Sequence, residues 1–117
     1  MRLTTILGMA IGAVLSVAAA AQADSPPYTV ATTGGTVVVS AGTGYHINAE
    51  FPWKVTQGTT AGAPTLADKS KFQIAPGTAT LANAPKGTNT LRGAYCSVNA
   101  DGTAGSCTPF STTITVQ

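Results

Sequence analysis

The sequence predicts a small antiparallel β-sandwich of about seven or eight strands, and three observations carry that prediction. Short runs rich in Val, Ile, Thr and aromatic residues recur along the chain. Gly and Pro, 13 and 7 of them among 117 residues, punctuate those runs. Beyond Pro27, no window holds the i, i+3, i+4, i+7 apolar spacing of an amphipathic helix.

In chain order the candidate strands are Tyr28–Thr32, Thr36–Ser40, Tyr45–Ala49 and Trp53–Gln57, then Lys71–Ala75, Thr78–Leu81, Thr88–Val98 and Thr108–Val116. Gly34-Gly35, Gly42 to Gly44, Pro52, Pro76-Gly77, Pro85 to Gly87 and Asp101-Gly102 break them. The segment Gly58 to Ser70 lacks regular patterning and reads as a mobile loop. Thr36 to Val39 and Ile114 to Val116 supply β-branched residues for half-buried strands. Phe51, Trp53, Val55, Phe72 and Ile74 keep a period of two, which assigns them to the core. The stretch Ala75-Pro76-Gly77-Thr78-Ala79-Thr80-Leu81 is echoed by Ala84-Pro85-Lys86-Gly87-Thr88-Asn89-Thr90-Leu91, a recurring turn followed by a strand.

Residues 1–23 read as a secretory signal. Arg2 gives the positive start, Ile6 to Ala21 is apolar or small throughout, and Ala21-Gln22-Ala23 fits a small-x-small cleavage site. A membrane anchor is the competing reading, but the stretch is short and dominated by Ala and Gly. Cleavage would leave a disordered lead-in, residues 24–27, in which Pro26-Pro27 blocks any helix, and a sandwich domain, residues 28–117. The expected location is the periplasm or the exterior, with no membrane attachment after cleavage.

Charge narrows the function. Only 9% of residues are charged and the formal net charge is +2, too weak a field for nucleic-acid binding. Past residue 23 the chain carries five Lys or Arg against four carboxylates. His46 is the sole histidine, no G-x-S-x-G surrounds a serine, and the carboxylates are scattered, so hydrolase chemistry finds no constellation. Blue copper needs two histidines and zinc a ligand spacing that is lacking here, so no metal and no cofactor is expected.

The two cysteines carry the most information. Taking Asp101-Gly102 as a two-residue hairpin turn places Cys96 directly opposite Cys107, within disulfide reach. In that register Leu91 and Tyr95 share the core face with Phe110, Ile114 and Val116, while both cysteines point outward with Arg92, Ser111 and Thr113. Counting from the turn assigns the pair to the wider, hydrogen-bonded spacing. Two readings stay open. The bridge is a staple for a small exported domain, or it is an accessible redox pair.

Two segments resemble a known family. Gly44-Tyr45-His46-Ile47-Asn48, followed by Pro52 and Thr56, resembles the G-[WY]-H-[IV]-N…P opening of the N-terminal domain of the disulfide-interchange protein DsbD. Tyr95-Cys96, then Cys107-Thr108-Pro109 and a closing strand, is similar to that family's Y-x-x-C…C-x-P end. The resemblance implies an immunoglobulin-like sandwich in which Cys96 and Cys107 exchange disulfides with an exported thiol-disulfide oxidoreductase. It leaves His46 and Asn48 to fix the backbone. The alternative function is a non-catalytic binding or envelope-structure domain holding a static Cys96–Cys107 bridge. The oligomeric state is not legible in the sequence.

Overall fold

A computed structural model describes residues 26–117. Residues 1–23, read above as a secretory signal, and the first two residues of the expected lead-in lie outside the described residues. Two antiparallel sheets face each other across one core. The strands are β1 (Tyr28–Thr33), β2 (Thr36–Ala41), β3 (Tyr45–Ile47), β4 (Lys54–Gln57), β5 (Thr65–Ala67), β6 (Phe72–Ile74), β7 (Thr78–Leu81), β8 (Gly87–Val98) and β9 (Ala104–Val116). One sheet runs β1-β2-β7-β6. In the other, β8 is flanked by β9 on one edge and by β3 and β4 in succession on the other, with β5 outermost. This order is that of an immunoglobulin-like sandwich. The two copies of the sequence echo lead into β7 and β8, one strand of each sheet.

Nine strands form where about seven or eight were expected from the spacing. The additional one, β5, lies in the segment read as a mobile loop, together with a 3-10 turn at Lys69–Lys71. Asp68 caps that turn, its carboxylate accepting from the Ser70 amide and hydroxyl. The hydroxyl bond is the main reason its pKa is lowered. Only residues 58–64 remain irregular between β4 and β5. The last strand begins at Ala104, not Thr108, because the hairpin closes nearer its tip.

Alternation decides what is buried. Val37 and Val39 of β2, Ala79 and Leu81 of β7, Trp53 and Val55 around β4, Leu91 of β8, and Ile114 and Val116 of β9 all point between the sheets. Phe72 is buried with them, and Phe51 and Ile74 pack at the margin. The expected core residues thus line the core.

An aromatic stack closes one end of this core. Tyr28 of β1 lies 3.9 Å from Phe110 of β9, centroid to centroid, and 5.6 Å from Tyr95 of β8. Tyr28 therefore joins the two sheets through ring contacts, each worth about 0.5–1.5 kcal/mol beyond burial. Trp53 sits behind Phe110 at 5.7 Å, edge to face, and its indole N–H donates to the Asn48 carbonyl at 2.8 Å.

The described end of the lead-in, Pro26 and Pro27, is anchored rather than disordered as expected, because it packs on Gly42. Gly42 donates its N–H to the Pro27 carbonyl at 2.8 Å, and a side chain at position 42 would collide with the Pro26 carbonyl. Replacing Gly42 with Ala should therefore detach the start of β1, read as faster hydrogen exchange at Tyr28 to Val30. Unchanged exchange there would contradict this packing.

Candidate functional site

Cys96 and Cys107 form a disulfide, as the hairpin arithmetic predicts, with Cα atoms 3.9 Å apart. They are direct partners on β8 and β9, and His46 of β3 lies opposite Cys96 on its other side. Directly opposed residues in an antiparallel sheet point to one face. His46, Cys96 and Cys107 thus form a row across three strands on the side of the sheet away from the core.

The turn that sets this row differs from the expected one. Asn99 donates its N–H to the Thr103 carbonyl at 2.8 Å, and Gly102 donates to the Asn99 carbonyl at 2.9 Å. The loop therefore has three residues, Ala100-Asp101-Gly102, with Gly102 at φ 86°, where a side chain would be strained. That loop would offset the strands by one residue. A bulge on β9 between Ala104 and Cys107 restores the offset, so Cys96 still meets Cys107. A Cβ on Gly105 would displace the Ser97 hydroxyl and crowd the Asn99 side chain and the Ser97 carbonyl, which favours glycine in the bulge.

The bulge also corrects the expected spacing. Even-numbered residues of β8 turn their backbone polar groups toward the β3 side, with Val98 donating to Gly44 at 2.9 Å and Ala94 accepting from Asn48 at 3.0 Å. Cys96 consequently exchanges no backbone bonds with Cys107, and the pair occupies the narrow, non-hydrogen-bonded spacing, not the wide one.

Exposure brings a second correction. Cys107 is exposed on the edge strand, but Cys96 is only 3% exposed. Cys96 is flanked by β3 and β9, and it lies outside the main core cluster with Ala94 as its buried neighbour on the same face. The bridge therefore joins an exposed cysteine to a buried one, although both lie on the outward face as the register predicts.

Side chains fix the hairpin tip. Asp101 accepts from the Thr103 amide at 3.0 Å and from its hydroxyl at 2.6 Å. The hydroxyl bond is the leading reason that the Asp101 carboxyl titrates below its ordinary value. A lowered carboxylate contributes its stabilisation above the ordinary pKa and loses it as pH falls through the depressed one. Replacing Thr103 with Val should move the Asp101 midpoint upward in an NMR pH titration of the side-chain carboxyl carbon. An unmoved midpoint would show that the hydroxyl bond is not made.

The residues of the first motif divide by role. Gly44 adopts φ 85°, and its carbonyl receives the Val98 N–H. Tyr45 meets Tyr95 edge to face, and Ile47 enters the core. The Asn48 side chain accepts from the Glu50 amide at 3.0 Å, while its carbonyl holds the Trp53 indole. These are positioning tasks. His46 lies on the outer face and lines an apolar crevice of about 310 Å³ with Ile47, Ile74 and Pro76.

Lys54 and Arg92, not among the residues that the sequence marks as a site, are direct partners on β4 and β8. No signal in the sequence pairs them, because the pairing depends on a register between strands far apart in the chain. Among the described residues no three of His, Cys, Asp and Glu converge on a metal-sized site. Among the same residues no helix is long and apolar enough to cross a membrane. Comparison with protein-family models, curated proteins and solved structures finds no match to this chain.

Proposed function

We propose that this chain is an exported β-sandwich module that takes part in thiol-disulfide exchange through Cys96 and Cys107. The observation that supports this reading is the exposure of Cys107 on an edge strand, which leaves one end of the bridge within reach of a partner. Exchange requires a thiolate to reach one sulfur in line with the bond. A partner thiolate attacks Cys107 Sγ, the electrons of the S–S bond leave on Cys96 Sγ, and Cys96 takes up a proton from solvent. The partner's second thiolate then attacks its own sulfur in the mixed disulfide and releases Cys107 as a thiolate. The partner's dithiol is oxidised and this chain's disulfide reduced; the reverse sequence passes two electrons outward. The likeness of the two motifs to the DsbD N-terminal domain supports the same assignment, with an exported thiol-disulfide oxidoreductase as the partner.

A second reading is a non-catalytic binding or envelope-structure domain with a static bridge. The burial of Cys96 favours it, because an apolar surrounding raises a thiol's pKa and makes it a poorer leaving group. Equilibration of the exported protein in glutathione redox buffers separates the two. Exchange predicts a potential above about −300 mV, and a lower potential, in the range of inert structural bridges, would leave only the second reading.

A further inference from the structure

The geometry points to a binding site for a phosphate or sulfate ester in the hollow between β4, the 58–64 loop and the outer face of β8, away from the disulfide. Lys54 and Arg92 stand directly opposite each other there, and Ser111 of β9 continues the row beyond Arg92. Like charges opposed across a ladder repel and destabilise the pair. The described carboxylates do not relieve them. Asp68 is engaged with Ser70 and Lys71, Asp101 with Thr103, and Glu50 lies in the turn after Asn48. None of the three lines the hollow.

The hollow measures about 270 Å³, and the loop contributes Thr59 and Thr60 to its wall. Every charged group lining it is a cation, and its remaining polar side chains are hydroxyls. That donor-rich set matches an oxyanion, which the Arg92 fork can hold through two parallel bonds. The neighbouring hydroxyls suit a polyol scaffold carrying the ester, and the volume limits it to about one sugar ring.

The wall is built into the fold. Asn89 is only 4% exposed, on the core face of β8, and its side-chain oxygen accepts from the Gly58 amide at 3.0 Å. Thr90 donates its hydroxyl to the Gly58 carbonyl at 2.7 Å. At the far end of the loop, Gln57 donates its N–H to the Pro64 carbonyl at 2.9 Å. A buried amide spent on tethering Gly58 fixes the start of the loop whose Thr59 and Thr60 line the hollow with the two cations.

The test is an amide and Arg side-chain NMR titration of the full exported protein. Its probes are inorganic phosphate, sulfate, glucose 6-phosphate, glucose, and chloride at matched ionic strength. Saturable shifts at Thr59 to Ala63 and at the Arg92 Nε–H, with phosphate, sulfate or the sugar phosphate but not with chloride, are expected. Tighter binding of glucose 6-phosphate than of phosphate or glucose identifies an ester on a polyol; equal or weaker binding than phosphate would overturn the ester and leave a plain anion site. Replacing Arg92 with Gln or Lys54 with Gln should weaken binding at least tenfold. Without ligand these variants should melt no lower than the parent, since each removes a repulsion. Equal shifts with chloride, shifts centred elsewhere, or undiminished affinity in both variants would overturn the assignment.

Discussion

Replacing Gly93 with Ala is expected to destabilise the protein by about 3 kcal/mol, at the upper end of the usual cost of overpacking a core. A Cβ at this position would overlap three atoms of the six-membered ring of Trp53. That ring cannot step aside. It is 1% exposed, its N–H is bound to the Asn48 carbonyl, and Phe72 and Phe110 lie against it at 5.8 and 5.7 Å. For a domain of this size the loss corresponds to a fall in Tm of roughly 15 °C, read by thermal or urea unfolding. Gly77 serves as the control, since a Cβ there meets nothing within 4 Å and alanine should be nearly neutral. Trp53→Leu removes the obstructing ring at a cost of its own, and on that background Gly93→Ala should add little. A coupling below about 1 kcal/mol in this double-mutant cycle would mean that the two residues do not compete for one space.

The Trp53–Gly93 fit also shows where sequence reading stops. The period of two around Phe51, Trp53 and Val55 places tryptophan in the core, because alternation is a local property of a strand. Its need for a glycine on β8 is not local and leaves no mark in either segment. The same division holds at the hairpin. Asp101-Gly102 identifies a turn, since Gly102 takes a positive φ in two-residue and three-residue loops alike. The choice of the longer loop rests on Asp101–Thr103 side-chain bonds and on room for Gly105 beside Ser97. The one-residue offset of that loop and the one-residue bulge cancel in register but not in hydrogen-bond parity. The partner of Cys96 was therefore legible, and its spacing and burial were not. Strand β5 escaped for another reason. Three residues paired to β4 across a register shift show no periodicity.

Removing the disulfide, by replacing both Cys96 and Cys107 with Ala, is expected to cost about 2.8 kcal/mol, the loop-closure value for a 12-residue ring. The fold should survive, because the bridge is not what joins the two sheets. It ties neighbours within one sheet, and β8 and β9 remain paired from Gly87–Val116 through Tyr95–Thr108 on the side of it away from the hairpin tip. The loss should concentrate beyond the bridge, where the bulge interrupts the ladder, so amides of residues 97–106 should exchange faster while those of Leu91 and Ile114 follow global unfolding. A far-UV spectrum that collapses at 25 °C would show that the staple holds the whole domain. The single variants report on the asymmetry between the sulfurs. Cys96→Ala leaves Cys107 exposed on the edge strand, and it should react with a thiol reagent at the rate of a free cysteine and form disulfide-linked dimers. Cys107→Ala leaves Cys96 sheltered, and labelling should be slower by at least tenfold, limited by opening of the sheet around it. Equal labelling rates would remove the polarity on which attack at Cys107, with Cys96 as leaving group, depends.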